Sequence, residues 1–264
     1  MQKVSVITVA YNSVKTIQDT IESVLRQDYP QIEYILIDGA STDGTVDIVK
    51  SYGDRITHVI SEPDRGMYDA LNKGLALASG DIIGMLNSDD FYIHSQVIST
   101  VVTTLQNTQV DCVFADMVYV NPNNLNKVVR YYSSAPFNPR RFAYGWMPGH
   151  PTVFIKRWAY DRYGYFKTNY KIAADYELLT RFLAKHQLPY TYVPQVWVKM
   201  RTGGISTRNL MSNWILNREI VRACAENGIR TNLLNVFSKY FTKILQLVRR
   251  PRKQPTTQTQ TFSP

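Results

Sequence analysis

Four short apolar runs fall within the first ninety residues, and a helical repeat follows each of the first three. Val4-Ser5-Val6-Ile7-Thr8-Val9-Ala10 is rich in β-branched residues, as strands are, and Tyr11-Asn12-Ser13 breaks it. Ile17, Ile21, Val24 and Leu25 then keep helical spacing until Tyr29-Pro30. The second run, Glu33 to Asp38, closes on an acid, and Gly39 to Thr45 is loop, with Asp43 or Ser41 placed to cap a helix through Val46, Ile48 and Val49. His58-Val59-Ile60-Ser61 is a third strand, and Glu62-Pro63-Asp64-Arg65-Gly66 is rich in turn formers. Met67 to Ala78 reads as a helix, stopped by Ser79-Gly80-Asp81. The fourth run, Ile82-Ile83-Gly84-Met85-Leu86, is apolar on both faces and leads into Asn87-Ser88-Asp89-Asp90. Strands that alternate with helices in this way predict an α/β chain with a Rossmann-like, doubly wound, mainly parallel sheet.

In such a sheet ligands sit beyond the carboxyl ends of the strands. Those ends carry Tyr11, Asp38, Asp64-Arg65 and Asp89-Asp90. Buried carboxylates are costly unless paired or bound to a cation, so Asp89-Asp90 reads as a metal and phosphate site. A plain strand-to-loop turn is the alternative, since Asn, Ser and Asp all favour turns. An aromatic face such as Tyr11 suits a base ring, an acceptor such as Asp38 a ribose or base N–H, and a cation such as Arg65 a diphosphate. No G-x-G-x-x-G follows the first strand and no G-x-x-x-x-G-K-[ST] occurs, which disfavours a dinucleotide dehydrogenase and a P-loop NTPase.

The second half is less regular. Val97 to Leu105 reads as a helix, Cys112 to Asp116, Met117 to Val120 and Val128 to Tyr132 as strands. Thr152 to Ile155 is a strand followed by a helix from Arg157 to Tyr163. Pro136 to Pro151 carries Phe142, Tyr144, Trp146, Met147 and His150, a surface suited to a sugar or lipid, or a large loop packed on the core. Asp175 lies in the first turn of a helix continued by Leu178, Leu179 and Phe182, where an acid serves either as a dipole partner or as a general base. Glu177, on another face, is expected to meet solvent. Thr202-Gly203-Gly204-Ile205-Ser206 is either a loop able to close over phosphates or a simple turn.

The formal charge of the 264-residue chain is +9, and seven of the excess positive charges lie after Asn227, where no acid occurs. That leaves +2 for residues 1–226, so the basic character belongs to the tail. Leu233, Leu234, Phe237, Tyr240, Phe241, Ile244, Leu245 and Val248 recur at three- and four-residue intervals, and Arg249-Arg250-Pro251-Arg252-Lys253 follows. A basic amphipathic helix of this kind predicts contact with an anionic membrane surface through residues 232–253, rather than with nucleic acid; packing on the domain or on another subunit is the alternative. Cys112 and Cys224 lack metal-ligand spacing and read as reduced thiols. Neither a signal peptide nor a membrane-spanning run is predicted, so the expected location is cytoplasmic and peripheral on the inner face of the cell membrane.

Taken together, Val6 to Asn12, Ile37-Asp38-Gly39-Ala40-Ser41-Thr42-Asp43-Gly44-Thr45, Glu62 to Gly74 and Asn87-Ser88-Asp89-Asp90 resemble the family 2 glycosyltransferases of the GT-A fold. The Glu62 to Gly74 segment and Asn87-Ser88-Asp89-Asp90 are similar to the colanic-acid-type (WcaA-like) branch. The resemblance spans residues 3–210. It implies inverting transfer of a sugar from a nucleotide-diphosphate donor to a hydroxyl of a glycan or lipid-linked acceptor in polysaccharide biosynthesis. It further implies that Tyr11, Asp38, Arg65 and Asp89 bind the nucleotide, that Asp90 with Asp89 holds Mg2+ or Mn2+, and that Asp175 is the catalytic base. His150 and Trp146 would lie on the acceptor side. Asn87 stands where the family's D-x-D has its first acid, and Ala174 where a second carboxylate commonly precedes the base. The expected organisation is a nucleotide-sugar half over 1–95, an acceptor and catalytic-base half over 96–226, a basic amphipathic helix over 227–250 and a disordered tail over 251–264. A sugar nucleotidyltransferase, or a non-catalytic nucleotide-sugar or glycan binder of the same fold, is the alternative.

Overall fold

The structure is a computed structural model that describes residues 1–203 and 210–238. Strand β1 (Val4–Ala10) is buried along its whole length, which its apolar and β-branched side chains allow. It lies between β2 (Ile32–Asp38) and β4 (Ile82–Met85), parallel to both, and β3 (His58–Ser61) pairs in parallel with the outer side of β2. Helices α1 (Ile17–Leu25), α2 (Thr45–Ser51) and α3 (Met67–Leu77) are the crossovers.

Alternate strand residues feed two cores. Ile7, Val9, Ile35 and Ile37 pack with Leu71 and Leu75 of α3. Val4, Val6 and Leu36 pack with Ile17, Ile21 and Val24 of α1 and with Val97, Ile98 and Val101 of α4 (Val97–Thr108). The sheet is therefore covered on both faces, as the doubly wound pattern predicts. A Cβ on Gly74 would lie 2.5 Å from Ile7 Cγ2, so glycine there lets α3 approach β1 closely.

Antiparallel pairing adds most of the remaining strands. β8 (Phe154–Lys156) runs against β4, and β6 (Cys112–Asn121) runs against β8. β9 (Tyr190–Arg201) is parallel to β6, and β5 (Asp90–Tyr92) is antiparallel to β9. The order is β3-β2-β1-β4-β8-β6-β9-β5, with β7 (Asn124–Tyr132) paired to β6 off that path. The two strands expected at Cys112–Asp116 and Met117–Val120 are one. β9 was not predicted: Pro194-Gln195 breaks its pattern, at the place where its register on β6 shifts.

Helices α5 (Arg157–Tyr163), α6 (Ala174–Leu179) and α7 (Leu210–Glu226) join the α3 side through Ala159, Leu178, Ile220 and Ala223. Glu177 does not face solvent. It is fully buried, paired with Arg181 at 3.0 Å and Lys167 at 2.9 Å, and accepts from Asn227 Nδ2. These partners come from three separate segments and compensate the burial of its charge.

The expected C-terminal helix is described only over α8 (Leu233–Phe237), which the Asn232 side chain caps by accepting from Asn235 N at 2.9 Å. Val236 is fully buried, while Leu234 and Phe237 remain exposed. The first turn thus packs on the domain through a residue outside the predicted apolar stripe. Residues 239–264, with the basic segment and the tail, lie outside the described residues, as do Gly204, Ile205 and Ser206. No described helix is long and apolar enough to cross a membrane.

Candidate active site

The register Ala10↔Asp38 brings the loops after β1 and β2 to one sheet edge. Tyr11 leaves β1 with its ring 67% exposed. Asp38 is buried, and its oxygens accept from Ser41 N at 2.9 Å, Ser41 Oγ at 2.5 Å and Ser61 Oγ at 2.7 Å. Asp38 therefore fixes the loop that follows it. Ala40 in that loop and Asn12 beside Tyr11 both adopt left-handed backbone, a strain that recurs at functional loops. A Cβ on Gly39 would stand 2.5 Å from Asp64 Oδ2 and 3.3 Å from Tyr11 Cδ2. An exposed aromatic face and a carboxylate oxygen thus converge over bare backbone, an arrangement fit for a flat ring carrying N–H donors.

The loop after β4 is tied down on several sides. Ser88 Oγ meets Ser13 Oγ at 2.8 Å, and Thr20 Oγ1 donates to the Asp90 carbonyl at 2.7 Å. Arg201, at the end of β9, donates to the Asp89 carbonyl at 2.7 Å, forms an ion pair with Asp19 and lies 5.0 Å over the Phe91 ring. Asp89 is half-buried and Asp90 fully buried. Burial raises the Asp89 pKa, against the charge of Arg201. Burial, together with Asp89, pushes Asp90 well above the usual carboxylate range, against Asn87 and Arg201. Asp90 Oδ2 accepts from Asn87 Nδ2 at 3.2 Å, whereas Oδ1 is buried with no hydrogen-bond partner among the described residues. An unpaired, buried oxygen beside a second carboxylate fits a hard divalent cation. No group of three His, Cys, Asp or Glu side chains able to hold a metal occurs among the described residues.

Asp175 is in the first turn of α6. Its Oδ1 accepts from Tyr176 N at 2.7 Å and from Tyr68 Oη at 3.4 Å. Burial raises its pKa, opposed by His150; burial lowers that of His150, opposed by Asp175. A carboxylate held by one oxygen, with its proton affinity raised, is suited to accept a proton.

A chain of aromatic side chains joins the two acid centres. The Arg130 guanidinium lies 4.2 Å over Tyr119 and 5.5 Å over Tyr132. The charge of Asp90 reaches Tyr119, and that of Asp175 reaches Tyr132. Arg130 Nε is buried with no partner among the described residues. Sequence reading missed Arg130, Arg201 and Tyr68, because their importance depends on strand register and helix packing. Arg65 is 83% exposed and paired with Asp69 on α3 rather than with the Asp89-Asp90 loop. Trp146 is buried, stacked on Tyr132 at 5.6 Å, so it backs the site instead of offering a free face; the exposed aromatic of that segment is Tyr144.

Residues 5–165 match the family model described as Glycosyl transferase family 2. The chain belongs to glycosyl transferase family 2. Among relatives of this family, a Mycobacterium tuberculosis protein described as an uncharacterized glycosyltransferase is 32% identical over 180 residues, 67% of this chain and 68% of its own length. The PGL/p-HBAD biosynthesis glycosyltransferase of Mycobacterium bovis is 25% identical over 224 residues, 83% of this chain and 82% of its own. The GT-A fold is shared with solved structures. S. aureus TarS 1-349 in complex with UDP-GlcNAc superposes with a TM-score of 0.68 at 19% identity, over 91% of this chain and 73% of that one. A mannosyltransferase from Pyrobaculum calidifontis in complex with GDP-Man and Mn2+ gives 0.59 at 19% identity, over 93% and 81%. The family 2 match takes in Tyr11, Asp38, Asp64, Asp89-Asp90, Arg130 and His150, whereas Asp175 and Arg201 lie beyond it.

Proposed function

We propose that this family 2 glycosyltransferase transfers a sugar from a nucleotide-diphosphate donor to a hydroxyl of a glycan or lipid-linked acceptor, inverting the anomeric configuration, in polysaccharide or glycolipid assembly. The observation that carries the proposal is the pairing of Asp175, with one oxygen held and its pKa raised, with a separate carboxylate site at Asp89-Asp90. Tyr11, Asp64 and the loop fixed by Asp38 would seat the base and ribose. Asp89 and Asp90 would hold Mg2+ or Mn2+; when bound, that ion offsets charge developing on the departing diphosphate. Solved GT-A neighbours complexed with UDP-GlcNAc and with GDP-Man and Mn2+ support that donor class. Asp175 would take the proton of the acceptor hydroxyl as its oxygen attacks the anomeric carbon from the side opposite the diphosphate. One displacement of this kind needs one carboxylate as base and no covalent intermediate. His150, beside Asp175, would favour its ionised form and face the acceptor. The resemblance to the colanic-acid-type branch and the M. bovis relative support an acceptor in a cell-surface glycan or glycolipid.

A panel of UDP-, GDP- and dTDP-sugars, scored by nucleotide-diphosphate release, should single out one donor, and proton NMR of the product should give the inverted anomer. A retained configuration, or full transfer by Asp175→Asn, would refute the mechanism. We place the enzyme on the inner face of the cell membrane through the basic segment to Lys253. Because Val236 is part of the core, the cut that tests this follows Ser238. The shortened enzyme should leave the membrane fraction while still folded; an unchanged distribution would overturn the assignment.

A further inference from the structure

Asp175 owes its position to the turn that precedes it. The backbone of Lys171, Ile172 and Ala173 leads into α6, and Ala173, at the N-cap position, has no side chain able to cap the helix. Those three amides instead meet one carboxylate from a distant helix. Glu219 of α7 is buried, and it accepts from Lys171 N at 2.7 Å through Oε1 and from Ile172 N and Ala173 N at 2.9 Å through Oε2. The same turn holds Tyr68: its hydroxyl donates to the Ile172 carbonyl and also contacts Asp175 Oδ1. Glu219 thus sets a turn whose carbonyl orients the tyrosine that touches the candidate base.

We infer that Glu219 is a positioning residue for Asp175, holding the 171–173 turn so that one oxygen of Asp175 stays fixed and the other is presented to the acceptor hydroxyl. The inference rests on the reading of Asp175 as the base. A hydrophobic contact would not serve equally well here. Three successive amides, one buried and two partly buried, take this one acceptor, and an anion that takes three bonds is far more restrictive than a packed methyl. The groups around Asp175 are Tyr68 of α3, His150 of the turn before β8, Tyr132 of β7, Tyr176 on α6 itself and Glu219 behind the turn. Of these, Glu219 carries its charge to Tyr68, the tyrosine that touches Asp175. Its loss would ease ionisation of Asp175 by letting water reach a loosened turn, since burial is what raises the Asp175 pKa.

The test compares Glu219→Gln, Glu219→Ala and Asp175→Asn in the full chain, with the donor identified by the panel and with UDP and Mn2+ as the binding probe. Glu219→Gln should lower kcat about tenfold or more, leave the donor KM and UDP affinity within about twofold, and move the acid limb of kcat/KM to lower pH. Glu219→Ala should act in the same direction and more strongly. A wild-type kcat and acid limb in a folded Glu219→Gln enzyme would overturn the inference. So would equal losses in kcat and UDP affinity, or failure of Glu219→Gln to fold while Asp175→Asn folds; either would mark an ordinary structural cap. Full activity in Asp175→Asn would instead refute the base assignment, whatever the Glu219 variants do.

Discussion

Arg201 reaches Asp89 at its main-chain carbonyl, 2.7 Å away, and not at its carboxylate. Its other arm is committed to Asp19 on α1. The guanidinium therefore fixes the path of the Asp89-Asp90 loop and leaves both carboxylates available. Lysine has no second arm for this geometry. Arg201→Lys should therefore fail to rescue Arg201→Ala. Both should lose stability by about 1–3 kcal/mol, read from urea melts, with a larger proportional loss in kcat/KM.

Asp90 supplies a prediction with a definite sign. Its folded pKa is raised by burial and by Asp89, so its ionised form costs stability as pH rises above the ordinary carboxylate range. A divalent cation would relieve that cost. The wild-type melting temperature should rise with Mn2+ concentration at neutral pH. Asp90→Asn should melt higher than wild type without metal and respond little to it. Differential scanning fluorimetry across a Mn2+ titration checks both.

Tyr11 and Gly39 test the base cradle together. Removing the exposed ring in Tyr11→Ala should weaken nucleotide-diphosphate binding by about 1–3 kcal/mol, the usual worth of a base stacked on an aromatic side chain. Gly39→Ala would place a methyl against Asp64 Oδ2 and the Tyr11 ring, and should weaken the same affinity. Calorimetric titration with UDP and GDP reads both, and also shows which base the cradle prefers.

Glu33 governs acid stability far from the site. Burial opposes its ionisation, yet hydrogen bonds from Ser5, Ser79 and Lys3 outweigh that and bring its pKa from 4.5 to about 2. Its stabilisation is full above the unfolded value and is lost as pH falls towards the folded one. Glu33→Gln should cost on the order of 3 kcal/mol at pH 7 and roughly half that or less at pH 3, by urea unfolding at the two pH values.

The first ninety residues were legible because each strand there is short, apolar and followed by its own helix. Asp175 was legible as an acid at a helix start. β9 was not, since Pro194-Gln195 interrupts the alternation that a strand would show, and only pairing with β6 and β5 reveals it. Glu177 was misjudged because helical spacing names a face but not what covers it; Lys167, Arg181 and Asn227 do. For Trp146 the sequence allows either a sugar-facing or a core-packed ring, and only the stacking of Tyr132 and Phe137 against it decides for the core. Arg201 and Glu219 act on residues 112 and 46–48 positions away, a separation at which local pattern carries no signal.

The pairing of β5 with β9 has a consequence for how the chain folds. β5 is three residues long and hydrogen-bonds in the sheet to β9, a strand that starts about a hundred residues later. Loop closure on that scale is slow compared with forming the β1-β2 unit, where Val4 pairs with Ile32. The carboxylate loop should therefore be the last part of the first half to acquire its native geometry, after the strands that flank it. In pulsed hydrogen-exchange labelling during refolding, the amides of Val6 and Ile7 should gain protection before that of Ile93, which donates to the Trp197 carbonyl of β9 at 2.9 Å. A nascent chain released before Tyr190 would carry every acid of the Asp89-Asp90 loop and still lack the β9 ladder that shapes it.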